Sequence, residues 1–477
     1  MTAVQFLLNG KPCSENSAPP SMTVLDWLRA RAHLTGTKEG CAEGDCGACT
    51  IVLGQQGNGA VRYQAVNSCL MMLPQIDNCA LLTVEGLAAP DGALHPVQQA
   101  LVDAHATQCG FCTPGFVMAM FAFHHGGEPA DDALIHESLA GNLCRCTGYR
   151  SIVEACRRVA HGPTDRFVAE AAATAAALAA LPACTDYCHD AQTFLMPRSL
   201  AALFAAMAQH PDAILLGGGT DLGLRVSKDR EALPAVIALG AVEELRRIAT
   251  GADAIEIGGA VTYTEALPHF DRHFPAFGAL VRRIGSRQIR NLGTIAGNLA
   301  TASPIGDTIP CLIALDATVM LASRDGTRVL PVEAFITGYR KTALAAGEVI
   351  AAIRIPLLAA GRDFAAYKVC KRFDQDISTV IAAFVLAREG AKVAELRAAY
   401  GGMAARAMRA ARVEAALTGR PWAPAWLADV DGLLARDFTP IGDHRGSAAY
   451  RLRAAAGLLR RFQLETSLAA PMRVEAL

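Results

Sequence analysis

Cys41, Cys46 and Cys49 fall inside one short loop, and Cys69 follows alone. No other feature of the chain restricts its folding so tightly. The spacing C-x4-C-x2-C…C asks a loop to curl until four thiolates meet at one point, and it is the plant-type [2Fe–2S] spacing. Gly40, Gly44 and Gly47 permit backbone conformations that a Cβ would forbid. They also let N–H groups point inward, where they offset negative charge. Zinc sites usually pair two short C-x2-C units, so three ligands in one loop with a distant fourth fit zinc poorly.

A second set follows. Cys109 and Cys112 form C-x2-C, and Cys144 and Cys146 form C-x-C. Both pairs are predicted at helix ends, where the dipole favours an anionic thiolate cluster. Thr113 is expected to cap the helix that starts at Pro114. Asp131 and Asp132 mark the first turn of another, and Ser151 with Glu154 has capping-box spacing at the head of a fourth.

At 477 residues the chain exceeds one hydrophobic core. Hydrophobic residues make up 52% and charged residues 19%, which suits a globular chain rather than a disordered one. A net charge of −1 gives no nucleic-acid footprint. No apolar run is long enough for a membrane span, and the first residues lack a secretory pattern. The expected location is the cytoplasm. There, cysteines read as metal ligands rather than disulfides. Five parts are expected: residues 1–80 as a small sheet with a helix, 81–160 as a bundle of four short helices, 161–190 as an Ala-rich linker, 191–360 as an α+β unit, and 361–477 as its strand-rich, then helical, tail.

Two Gly-rich segments lie in the middle half of the chain. Leu215, Leu216, Gly217, Gly218, Gly219, Thr220, Asp221 and Leu222 follow an apolar strand and suit a turn whose N–H groups approach a diphosphate. They do not form G-x-G-x-x-G. A second segment runs from Ile284 through Gly293, Thr294, Ile295, Ala296, Gly297 and Asn298 to Asp307. It is dense in Gly and small polar residues, as backbone wrapping of a long cofactor requires.

The runs TGTKEGCAEGDCGACT, QCGFCTPGF and GNLCRCTGYR together resemble the molybdenum hydroxylases, in particular those of the xanthine dehydrogenase type. The resemblance covers nearly the whole chain. It implies a multidomain α+β architecture: a ferredoxin-like β-grasp [2Fe–2S] domain, a four-helix-bundle [2Fe–2S] domain, and an α+β FAD-binding domain with a C-terminal α+β subdomain. It implies that the eight cysteines bind two [2Fe–2S] clusters. It implies that residues 215–222 and 293–298 cradle the FAD diphosphate, that Asp307 binds ribityl or ribose hydroxyls, and that Lys368 contacts the flavin. Animal relatives carry an aromatic where this chain has Ile284, which leaves an apolar wall there instead. Gln108 would face a molybdopterin held by a separate large subunit, in a dimer of heterodimers.

No residue of this chain is expected to be catalytic in the hydroxylation. The resemblance implies electrons passing from the partner's molybdenum centre through both clusters to FAD and on to NAD⁺, in the conversion of hypoxanthine or xanthine to urate. The alternatives are a hydroxylase of the same family for an aldehyde or N-heterocycle, a stand-alone NADH-oxidising redox module, or a zinc scaffold. Arg372, Asp374 and Asp376 read equally as nicotinamide entry or as a solvated turn. Other residues are assigned plain roles. His124, His125 and His136 read as surface or packing residues, Cys13 and Cys79 as small core residues, and Cys184 and Cys188 as exposed linker thiols.

Overall fold

The computed structural model describes residues 3–57, 60–159 and 165–468. The chain divides into two compact units: residues 1–242 with 285–293, and residues 243–284 with 294–477.

The first unit opens with β1 (Val4–Leu8), β2 (Lys11–Glu15) and α1 (Val24–Ala30), followed by β3 (Thr50–Gly57), β4 (Ala60–Asn67) and β5 (Ala80–Leu82). The strands form one mixed sheet in the order β2-β1-β5-β3-β4. β1 runs parallel to β5, with Leu7 opposite Ala80, and antiparallel to β2. Thr23 caps α1 by accepting from the Asp26 N–H. The helix then lays Val24, Leu25, Trp27 and Leu28 onto the sheet. Trp27 meets Phe6 edge-on at 5.3 Å, and its indole N–H donates to Glu15 at 2.8 Å. Both ends of this amphipathic ring are therefore satisfied. Cys79 lies in the core as expected, whereas Cys13 is half-exposed because it falls on the edge strand.

Four helices follow: α2 (Pro96–Asp103), α3 (Thr113–His124), α4 (Asp132–Leu139) and α5 (Arg150–Val159). The sequence of α3 is apolar on all sides, and every residue from Gly115 to His124 is buried. A helix without a polar face must be a core helix. Its cap differs from expectation. Cys112 occupies the N-cap position, and the Thr113 hydroxyl pairs instead with that of Thr107 at 2.7 Å. Asp131 does cap α4 by accepting from the Leu134 N–H. α5 begins one residue before Ser151.

The Ala-rich stretch folds into a helix at Ala171–Ala180, whose Leu178 packs with Leu7 and Ala80 against the first sheet. Cys184 is not an exposed thiol: it is 2% exposed. Its N–H donates to Asp77 at 3.0 Å, which pulls it into the core that Tyr187 and Phe194 share with α1. Cys188 is exposed, as expected. A second, four-stranded sheet pairs Gln192–Leu195 and Ile214–Leu216 in parallel with Ala235–Ala238.

The second unit holds a five-stranded antiparallel sheet, of strands 248–250, 254–258, 349–356, 318–323 and 326–331 in spatial order. It also holds a four-stranded meander of Arg362–Val369, Val380–Glu389, Lys392–Gly401 and Met408–Arg409. The meander buries one face against the long helix Ala448–Leu468. Phe384 is fully buried at that contact, stacked on Phe462 at 5.2 Å and edge-on to Tyr400 at 5.5 Å. Phe384→Ala is expected to cost about 3–5 kcal/mol, because a ring-sized cavity cannot collapse between sheet and helix. Denaturant unfolding followed by tryptophan fluorescence measures it through Trp422, 5.9 Å from Phe462. No helix among the described residues is long and apolar enough to cross a membrane.

Candidate functional site

The loop between α1 and β3 carries Cys41, Cys46 and Cys49. Ala42, Gly44 and Gly47 all have positive φ there, which winds the loop tightly. The backbone N–H groups of Glu43, Asp45 and Cys46 lie 3.3–3.4 Å from the Cys41 sulfur. Cys69, just beyond β4, brings its sulfur to 3.3 Å from that of Cys49, and both are buried. A thiol hydrogen bond from Cys46, with these backbone donors, holds the Cys41 thiol down at about 5. The partners are shifted the other way: Cys46 is raised by its bond to Cys41 and by burial. The same split separates Cys49 (lowered) from Cys69 (raised).

The second set assembles at the N-terminal end of α3. The sulfurs of Cys109 and Cys146 lie 3.5 Å apart. Cys112 shares a hydrogen bond with Cys144, and burial raises its thiol to about 12. The Cys144 sulfur also meets the Thr147 hydroxyl at 3.2 Å, and the Tyr149 hydroxyl accepts from the Cys144 N–H at 2.9 Å. All cysteines among the described residues are unbridged. Each set thus brings its sulfurs into close pairs beside hydrogen-bond donors, a donor set that fits a [2Fe–2S] cluster.

The two loops touch. The Leu143 N–H, one residue before Cys144, donates to the carbonyl of Cys46 at 2.9 Å. Beneath it, the Asn142 amide donates to the Gly47 carbonyl at 3.0 Å. Gln288, from segment 285–293, donates to Asn142 at 2.9 Å. Here Gly47 has no substitute: a Cβ would stand 2.2 Å from the Gly141 carbonyl. Asn142 and Gln288 carried no signal in the sequence, because each acts through a contact about 100 residues or more distant. An ion-pair group of Arg287 and Arg290 with Glu128 and Glu137 fixes the same segment to the helices.

In the first unit, Gly217, Gly218 and Gly219 turn the chain between strand Ile214–Leu216 and helix Gly223–Ser227. Gly219 has φ +83°. A Cβ on Gly218 would stand 1.7 Å from the Leu292 carbonyl, next to Gly293. Leu215, Gly217, Gly218, Gly219, Thr220 and Leu222 are half-buried, Leu216 is buried and Asp221 is exposed. A cradle so tight that a Cβ would fill it suits a diphosphate held by main-chain N–H groups. Gly218→Ala is expected to release the flavin and destabilise the chain by about 1–3 kcal/mol. Gly240→Ala, where nothing lies within 4 Å, is expected to change neither. The flavin-to-protein ratio after gel filtration checks both.

In the second unit, Thr294 caps a helix at Ile295–Ala300 by accepting from the Gly297 N–H at 2.9 Å. Asn298 accepts from the Thr308 hydroxyl at 2.6 Å. Asp307 is nearly buried, accepting from the Lys368 ammonium at 2.7 Å and the Ser378 hydroxyl at 2.5 Å. Lys368 also donates to the Arg283 carbonyl at 2.9 Å. Ile284 is 9% exposed and packs into the unit's core with Ile295 and Ala296. Asp376 accepts from the N–H groups of Lys371 and Arg372, closing a turn on which Arg372 and Asp374 are exposed. Gln108 is exposed.

The chain matches four family descriptions in order. They are "2Fe-2S iron-sulfur cluster binding domain" over residues 6–73, "[2Fe-2S] binding domain" over 83–157, "FAD binding domain in molybdopterin dehydrogenase" over 189–358, and "CO dehydrogenase flavoprotein C-terminal domain" over 365–466. It is 33% identical to xanthine dehydrogenase of Emericella nidulans, over 96% of this chain and 38% of that protein. It is 30% identical to xanthine dehydrogenase/oxidase of Gallus gallus, over 90% and 37%. The chain thus spans little more than a third of the length of these relatives. Among solved structures it resembles quinoline 2-oxidoreductase of Pseudomonas putida, with TM-score 0.54, 28% identity, and 59% of this chain and 99% of that one covered. It also resembles carbon monoxide dehydrogenase of Hydrogenophaga pseudoflava, with TM-score 0.52, 29% identity, and 56% and 94% covered. Two [2Fe–2S] domains and an FAD-binding domain are therefore present, in a mixed α/β multidomain chain. The chain is an iron–sulfur and flavin module of the molybdenum hydroxylase family, homologous to the N-terminal region of xanthine dehydrogenases.

Proposed function

We propose that the chain is the electron-transfer subunit of an NAD⁺-dependent xanthine dehydrogenase, an oxidoreductase that converts hypoxanthine and xanthine to urate. The observation that carries this reading is the match to xanthine dehydrogenase running through 96% of the chain, with cluster and flavin parts in one polypeptide. The carbon monoxide and quinoline enzymes match 56–59% of it instead, each with nearly its whole chain.

Cys41, Cys46, Cys49 and Cys69 would hold one cluster, and Cys109, Cys112, Cys144 and Cys146 the other. Residues 215–222, Ile284, 293–298, Asp307 and Lys368 would hold FAD. The five-part division at residues 80, 160, 190 and 360 belongs to the same reading. When bound, the clusters supply one-electron carriers and the flavin links them to a two-electron hydride acceptor. The chain's own residues set the spacing of these groups: the Leu143–Cys46 hydrogen bond fixes one cysteine loop against the other. Exposed Cys109 and Cys146, flanked by exposed Phe111 and Leu143, suit a face toward a molybdopterin-bearing large subunit. A dimer of heterodimers in the cytoplasm completes the proposal.

The test is metal and flavin analysis of the chain purified with its partner. About four iron and one FAD per chain, with molybdenum in the preparation, are expected. Xanthine-reduced enzyme is expected to be reoxidised quickly by NAD⁺. Reoxidation by O₂ and not NAD⁺ would refute the acceptor, and absence of molybdenum would refute the partner.

A further inference from the structure

Outside the cysteine loops, three imidazoles converge on one buried carboxylate. His95 precedes α2, His124 ends α3, His125 follows it, and Asp165 precedes a short helix at Arg166–Ala169. Their side chains are only 2–5% exposed. The Nε2 atoms of His95, His125 and His124 stand 2.7, 2.9 and 3.8 Å from Asp165 Oδ2.

The hydrogen bonds assign a different role to each group. Asp165 Oδ1 accepts from the N–H groups of Phe167 and Val168, which turns Oδ2 toward the imidazoles. His95 Nδ1 accepts from the Val97 N–H, so its proton sits on Nε2 and it can only donate to Asp165. His124 is the reverse. Its Nδ1 lies 2.5 Å from the Val159 carbonyl, which cannot donate, so the proton sits on Nδ1. Nε2 is left as a bare lone pair, buried, with no hydrogen-bond partner. A lone pair aimed at a carboxylate oxygen is an unfavourable arrangement that a cation between them would reverse.

We propose that His124 Nε2, His125 Nε2 and Asp165 Oδ2 bind one divalent ion of the zinc class, with His95 orienting Asp165 from outside the ligand set. Two ligand atoms on a tetrahedral zinc ion stand roughly 3.3 Å apart, given bonds of about 2.0–2.1 Å. The two separations from Oδ2, 2.9 and 3.8 Å, bracket that value; the ligand atoms that already lie within 4.8 Å of one another are those of His95, His125 and Asp165, so His124 has to move toward His125 to complete the set. The ion takes the place of the proton between His125 and Asp165, that proton passing to His125 Nδ1 so that the ring stays neutral, and water completes the coordination. A backbone carbonyl on the second nitrogen, as Val159 provides for His124, is the usual support of a metal-ligating histidine. Two imidazoles and one carboxylate select zinc over magnesium or calcium. The site shares no residue with the cysteine loops, so it stands or falls independently of the proposed electron relay.

The test uses the cluster-loaded chain with its partner, first dialysed against a chelator and then titrated with zinc. One zinc per chain is expected beyond the iron, with a zinc-edge X-ray absorption spectrum showing only nitrogen and oxygen neighbours. His124→Ala and Asp165→Asn are expected to weaken zinc binding by about 100-fold or more, and His95→Ala by about 10–100-fold. His136→Ala, at an exposed position on α4, is expected to bind like the parent. Iron and flavin content report that each variant has folded. Failure to retain zinc, a sulfur shell, or equal binding by the parent and a folded His124→Ala would each overturn the proposal. In that event the group is a hydrogen-bonded latch only.

Discussion

Cys49→Ala is expected to lower bound iron from about four to about two per chain and to remove one of two reduced-state EPR signals. Cys49 is 2% exposed, its sulfur 3.3 Å from that of Cys69 and 3.7 Å from the Asn67 amide. Without Cys49 the loop keeps only Cys41 and Cys46, and Cys69 beyond β4 is the one thiolate left to complete the set. Burial alone does not predict the result, and Cys156→Ala separates the two causes. Cys156 is fully buried in the helical core, and burial raises its thiol to about 12, yet no motif includes it. That variant is expected to keep all its iron. Equal iron in Cys49→Ala and parent protein would remove Cys49 from the ligand set. Iron loss in both would show that packing, not ligation, controls occupancy.

The second large effect is expected at Lys368. Lys368→Met keeps the volume of the side chain and deletes its charge, which leaves Asp307 nearly buried with only the Ser378 hydroxyl for company. Removing one partner of a buried ion pair typically costs about 3–5 kcal/mol, because the other charge is stranded. The double variant Lys368→Met/Asp307→Leu is expected to recover most of that loss, since it removes the stranded charge as well. Urea unfolding of the two variants, followed by flavin fluorescence and far-UV circular dichroism together, distinguishes local from global loss. A cost below about 1 kcal/mol would mean that water reaches Asp307 and solvates it. The double variant is expected to stay flavin-poor even when stable, because the proposed cofactor contacts of Asp307 and Lys368 are both gone.

The two cysteine sets, proposed as cluster ligands, were legible because their spacing is local. C-x4-C-x2-C fixes three thiols within one loop, and the positive φ of Gly44 and Gly47 is needed wherever such a loop winds around a cluster. Helices were legible for the same reason, from caps and apolar runs such as that of α3. Local signals are weakest at boundaries: Thr113 has the chemistry of an N-cap, yet packing gives that position to Cys112. The Ala-rich stretch 161–190 shows few anchors in sequence, because each of its anchors is a long-range contact. Leu178 reaches Leu7 and Ala80 across the first sheet, and Cys184 is drawn inward by Asp77.

The sequence by itself determined the two cysteine sets, their order along the chain, and the Gly-rich turn before helix Gly223–Ser227. Only the tertiary structure decided which distant groups meet. Nothing in the spacing joins Gln288 to Asn142, Lys368 to Asp307, or Asp165 to His95, His124 and His125. Those pairs are separated by 146, 61, 70, 41 and 40 residues, and each forms only when packing brings its carriers together. A short-range motif is selected by the geometry of one loop. A long-range polar contact is selected by the cost of leaving a buried donor, acceptor or charge without a partner, and that cost exists only once the chain has folded around it.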